Sequence, residues 1–141
     1  VIHSVRLRER KNMIEYVDSI EGVTPAMLSG FFEGWKKSYT SESHLIILEN
    51  SDHIVLALDT ERNRVVGFIT ALTDGIMSAF IPLLEVLPDY RNQGIGSSLV
   101  LRMLEKLKDI PGINLMCDQN LQSFYSRFGM SPSSGMILRN Y

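Results

Sequence analysis

At 141 residues, with 45% hydrophobic and 21% charged side chains, the chain has the size and balance of one globular domain with its own core. A net charge of −2 leaves no electrostatic footprint for nucleic acid, and no apolar run approaches the roughly 20 residues that a bilayer-spanning helix needs. The single cysteine, Cys117, excludes an internal disulfide framework and suits a reducing compartment, so a cytoplasmic location without membrane or nucleic-acid partners is expected.

Arg6, Arg8, Arg10 and Lys11 crowd the first twelve residues, which lack the apolar stretch of a signal peptide. Residues 1–12 read as an extension ahead of a start at Met13, disordered or carried over from cloning; a basic arm for RNA is the less favoured alternative. The domain proper is expected over 13–141. Residues 13–17 alternate weakly and read as a strand. Thr24-Pro25 looks like an N-cap with proline at the first helical position, opening a helix through Met27, Leu28, Phe31, Phe32 and Trp35. Residues 41–50 form a second helix. A buried strand at 54–58, the polar turn at 61–64 and a strand at 65–72 make a hairpin. Asp74-Gly75 turns the chain into a further strand, 77–87.

Residues 97–109 form a helix with Leu99, Val100, Met103, Leu104 and Leu107 inward, stopped by Pro111-Gly112. A strand at 113–117 follows. Asp118 is then expected to cap a helix over 119–128 that ends at Gly129, and 136–138 reads as a last strand. This order describes an α+β layered domain with a mixed sheet.

The most informative stretch is the junction between strand 77–87 and the helix after it. Arg91-Asn92-Gln93-Gly94-Ile95-Gly96 places two glycines and a guanidinium where a helix begins. Glycines let backbone N–H groups converge, and the first N–H groups of a helix have no internal partner and carry the positive end of its dipole. A phosphate or pyrophosphate is the natural guest. The loop lacks the Gly-Lys-Ser/Thr of a P-loop. It also lacks the third glycine of a dinucleotide fingerprint, where Leu99 stands instead.

The pattern Arg91-x-x-Gly94-x-Gly96, with Val86-x-Pro88 before it and an amphipathic helix after it, resembles the acetyl-CoA loop of the GNAT superfamily of N-acetyltransferases. The run Ser123-Phe124-Tyr125-Ser126-Arg127-Phe128-Gly129-Met130 is similar to the Phe-Tyr-x-x-x-Gly-Phe signature of the same family. The resemblance implies a mixed central sheet splayed at the cofactor strand, with helices on both faces. It implies transfer of an acetyl group from acetyl-CoA to a primary amine of a small molecule or peptide by direct attack, without a metal. The alternative is a non-catalytic acyl-CoA-binding or regulatory module of the same fold.

In that family the strand equivalent to 77–87 splays from the one after the loop helix, and its free backbone binds pantetheine. Pro82 shares strand parity with Leu84 and Val86, so a proline facing the gap sacrifices no ladder bond, although a simple bulge explains it nearly as well. Leu84 and Val86 are therefore expected to meet the pantetheine arm. Backbone N–H groups around Arg91, Asn92, Gln93, Gly94, Ile95, Gly96 and Ser97 are expected to hold the pyrophosphate. Asn92 departs from the glycine common there, but asparagine tolerates left-handed backbone angles.

Tyr125 matches the tyrosine that protonates the departing thiolate; the alternative is packing in a stripe with Leu121, Phe124 and Phe128. Glu85 alternates away from Val86 toward Leu83 and Leu87. A carboxylate among apolar neighbours can be a general base, a binder of the substrate cation or a structural partner, and the sequence leaves all three open. Asp118 stands where many relatives carry a cofactor-touching Asn, and a capping role is preferred for it; Arg127 is expected to face solvent rather than the 3′-phosphate. The three histidines show no metal spacing with Cys117, which reads as inert packing on a strand rather than as an acetyl carrier. A homodimer through the late segment 131–141 is compatible with the family.

Overall fold

The computed structural model describes residues 13–141, so the expected extension over 1–12 lies outside the described residues. Six strands are formed: β1 (Ile14–Val17), β2 (His53–Asp59), β3 (Arg64–Thr73), β4 (Ser78–Ile81), β5 (Leu84–Val86) and β6 (Gly112–Leu115). Three α-helices accompany them: α1 (Ser41–Asn50), α2 (Ile95–Lys106) and α3 (Gln122–Ser126). The expected α+β layering is observed, with strand order β1-β2-β3-β4-β6 and β5 paired to β3. All pairings are antiparallel except β4 with β6.

β2 and β3 are apolar on both faces because both faces are covered. On one face lies α2, whose Ile95, Leu99, Val100 and Met103 are buried. Gly67 of β3 makes this approach possible: a Cβ there would stand 3.2 Å from both the Ile95 and Leu99 side chains. On the other face Phe31, Phe32, Phe68 and His44 of α1 pack into an aromatic cluster, mostly edge-on, with His44 tilted against Phe68.

The expected strand 77–87 is two strands. Leu72 pairs with Phe80 and Ile69 with Leu84, so four residues of this segment span three of β3. That extra residue is a bulge at Pro82-Leu83, placed where proline has no N–H to give to a ladder.

Three further expectations need correction. The helix from Pro25 to Trp35 is only a 3-10 turn, Pro25–Leu28, because Gly30, Phe32 and Gly34 take left-handed φ of 95°, 65° and 79°. The helix over 119–128 is a 3-10 turn, Gln119–Leu121, followed by the short α3, with Gly129 (φ 88°) closing it as expected. No strand forms at 136–138 among the described residues, and 131–141 is exposed throughout.

Candidate active site

The bulge determines what β5 offers. The Leu87 N–H donates to the Val66 carbonyl at 2.8 Å, and the Thr70 N–H donates to the Leu83 carbonyl at 3.1 Å. Residues 83, 85 and 87 thus turn their backbone groups to β3, while Leu84 and Val86 turn theirs to the opposite edge. β4 remains paired to β6 as far as Ile81 and Leu115, but β5 has no strand on that edge among the described residues. A wedge opens there, as the sequence leads one to expect.

The wedge is a cleft of about 560 Å³. Leu84 and Val86 line it from the strand, Arg91, Asn92, Gly94, Ile95, Gly96 and Ser97 from the loop and the start of α2. Of the expected cofactor residues only Gln93 is missing; its side-chain amide donates to the Asp89 carbonyl at 3.4 Å. Asn92 and Gly94 adopt φ of 61° and 83°, which bends the loop into the helix. Gly94 is the N-cap, so α2 starts at Ile95 rather than Ser97. No side chain caps it and no acid sits in its first turn, leaving N–H donors and the positive dipole end facing the cleft.

Arg91 bends back, its Nε donating to the Val86 carbonyl at 3.1 Å. This occupies the outward carbonyl of Val86 and leaves its N–H toward the cleft. Arg127 is exposed, as expected, and also lines the cleft, with its guanidinium 5.0 Å from the Phe124 ring and Nη2 3.4 Å from Ser97 Oγ. Its i, i+3 spacing from Phe124 was the available signal. Tyr90 also lines the cleft and was not anticipated.

Tyr125, on α3, is half-buried and reaches two spaces. It lines the wedge and also a second cleft of about 450 Å³ between β6 and the segment 130–135. Burial, with Cys117 nearby, raises its phenol above the ordinary value, which keeps the proton on at neutral pH.

Glu85 pairs with Phe68 across the ladder and so points to the face opposite α2. The Phe32 N–H donates to both its carboxylate oxygens, at 3.2 and 3.1 Å. Burial raises the carboxyl above its usual range, opposed by this hydrogen bond and by Arg91 and assisted by Glu33. Asp118 occupies the N-cap of the 3-10 turn, but its carboxylate caps nothing; its carbonyl accepts the Leu121 N–H. His44 lies away from both clefts, fully buried among phenyl rings. Among the described residues no group of three potential ligands is arranged to hold a metal, and no helix is long and apolar enough to cross a membrane.

The sequence model of the Acetyltransferase (GNAT) family matches residues 20–130. A solved structure from Deinococcus radiodurans R1, described as a candidate acetyltransferase, is 42% identical and superposes with a TM-score of 0.88 over 92% of this chain and 90% of that one. A GNAT family protein from Streptococcus pneumoniae is 31% identical, with a TM-score of 0.69 over 91% of this chain and 98% of that one. An uncharacterized N-acetyltransferase of Gracilaria tenuistipitata is 30% identical over 60% of this chain, a match that spans only 48% of that relative's length.

Proposed function

Because the chain belongs to the GNAT family of acetyltransferases, we propose that it moves an acetyl group from acetyl-CoA to a primary amine of a small molecule or peptide. The observation that carries this reading is the wedge. One cleft gathers the free edge of β5, the uncapped start of α2 and the Tyr125 side chain.

The outward backbone groups of Leu84 bind the pantetheine arm and orient the thioester, leaving the Val86 N–H for the carbonyl. Asn92 to Ser97 receive the pyrophosphate on backbone N–H groups, and Arg91 adds charge beside them. The neutral amine attacks the carbonyl carbon, forming the C–N bond as the C–S bond breaks. The Val86 N–H stabilises the negative charge that develops on the carbonyl oxygen. Tyr125 gives its proton to the departing sulfur, and Glu85, which lines neither cleft, takes the amine's surplus proton through water. A carboxyl raised by burial is better matched to that task than an ordinary one.

The second cleft meets the first at Tyr125, and we take it as the acceptor's approach. Its lining mixes Phe80, Leu115, Met116 and Met130 with Asn114, Gln122 and several serines and holds no charged side chain, which favours an acceptor whose body is uncharged and carries both apolar and hydrogen-bonding groups. Exposed Met136 and Leu138 support a homodimer through 131–141, and the single Cys117 suits the cytoplasm. The test is amine-dependent thiol release from acetyl-CoA across a panel of primary amines. Turnover with any of them supports the reading; binding of acetyl-CoA without turnover supports the non-catalytic module instead.

A further inference from the structure

The loop that begins α2 has little to hold it in shape. Residues 91–94 are exposed, two of them have left-handed φ, and the side-chain bonds of Arg91 and Gln93 reach only Val86 and Asp89, at most five residues away. Arg127 reaches Ser97 Oγ just past the loop at a loose 3.4 Å, and one short side-chain contact ties the loop's other end to the sheet. Tyr90, the residue before Arg91, donates its hydroxyl to Asp59 Oδ2 at 2.6 Å, across 31 residues of sequence. Arg62 Nη1 donates to the Tyr90 oxygen at 2.9 Å and lies 3.4 Å from Asp59 Oδ2.

Asp59 is itself fixed before it meets Tyr90. It ends β2, is 5% exposed, and its Oδ1 accepts the N–H groups of Glu61 and Arg62 at 3.1 and 3.2 Å. Burial works against its charge, but the Tyr90 hydroxyl, the two N–H groups and Arg62 outweigh it and hold the carboxyl below the ordinary range. A charged acceptor makes a stronger bond than a neutral one, and this one is held by the rigid β2–β3 hairpin. The tyrosine is therefore tied at its hydroxyl to the sheet while its ring walls the cleft.

We propose that Asp59 and Tyr90 are positioning residues that preset the loop from Arg91 to Gly96, so that its N–H donors already converge when a pyrophosphate arrives. The proposal rests on acetyl-CoA occupying this cleft. A loop ordered in advance gives up less conformational freedom on binding. The pyrophosphate is remote from the bond being broken and is held alike in ground and transition states, so the brace acts on cofactor affinity rather than on the chemical step.

The test is the Kd of coenzyme A by calorimetry, with acetyl-CoA kinetics, for the wild type, Tyr90→Phe, Asp59→Asn and the double variant. Tyr90→Phe keeps the ring and removes only the hydroxyl. Each single variant is expected to raise Kd and KM about three- to tenfold, less than the full worth of a charge-assisted hydrogen bond because the brace reaches the ligand only through the loop, while kcat at saturation stays within about twofold. The double variant is expected to match the weaker-binding single one, because the two residues act as a unit. Leu48→Ala, buried in α1, controls for stability and is expected to lower Tm without moving Kd. Should Asp59→Asn not fold, Tyr90→Phe decides alone. Wild-type Kd in Tyr90→Phe, or a fall in kcat with Kd unchanged, overturns the brace. A wild type that does not bind coenzyme A overturns the cofactor reading, and the brace with it.

Discussion

The backbone N–H of Phe32 lies between the two carboxylate oxygens of Glu85, 3.2 and 3.1 Å away, and joins the segment after the first 3-10 turn to the cofactor strand. Phe32 holds φ of 65°, unusual for an aromatic residue, while its ring packs against Trp35, Tyr39 and His44. Glu85 thus answers a backbone donor, yet a carboxylate has lone pairs to spare for a substrate proton.

The two duties separate by substitution. Glu85→Gln keeps an oxygen for the Phe32 N–H and removes the proposed base, so kcat is expected to fall at least tenfold with Tm nearly unchanged. Glu85→Ala also orphans the N–H, adding a stability loss of about 1–3 kcal/mol by denaturant titration. Full activity in Glu85→Gln would leave Glu85 a purely structural residue.

Tyr125→Phe removes the hydroxyl proposed to protonate the leaving sulfur and leaves the ring packed against Phe124. Turnover is expected to drop by about a hundredfold, with acetyl-CoA KM altered little. A pre-steady-state and steady-state comparison at saturating acetyl-CoA reads this directly. An unchanged kcat removes Tyr125 from the mechanism.

His44 makes the fold acid-sensitive. It is fully buried, neither ring nitrogen has a partner among the described residues, and burial depresses its pKa from 6.5 to about 4. The unfolded chain takes up this proton first, so stability is complete above about pH 6.5 and declines as pH falls toward 4. The loss is limited to about 3 kcal/mol from the size of the shift. Urea midpoints across that window are expected to fall in the wild type and to fall less in His44→Leu. Parallel pH profiles would show that His44 carries none of the effect.

What the sequence disclosed was local or periodic. The helix bearing Leu99, Val100 and Met103 announced itself by spacing, and the loop by Arg91, Gly94 and Gly96. The outward edges of Leu84 and Val86 were anticipated, but from a parity with Pro82 that the bulge at Pro82-Leu83 interrupts. Contacts across long sequence separations left no local trace: Phe32 meets Glu85 over 53 residues and Tyr90 meets Asp59 over 31. The apolar spacing of Met27, Leu28, Phe31 and Phe32 imitated a helix, but it serves an aromatic cluster around His44, and Gly30 and Gly34 permit the irregular path. At 136–138 apolar residues suggested a strand, yet a strand needs a partner edge, and Met136 stands 98% exposed.

The central claim is that the wedge binds acetyl-CoA through the loop at Gly94. The most direct measurement is calorimetric titration of acetyl-CoA into the wild type beside Gly94→Trp. That substitution forces a bulky side chain onto φ of 83° at the N-cap of α2, a conformation strained for any side chain, and so disturbs the N–H groups that converge there. Binding by the wild type that is lost in Gly94→Trp, with the fold intact by circular dichroism, is the predicted result. No binding by the wild type, or equal binding by both, would contradict the account.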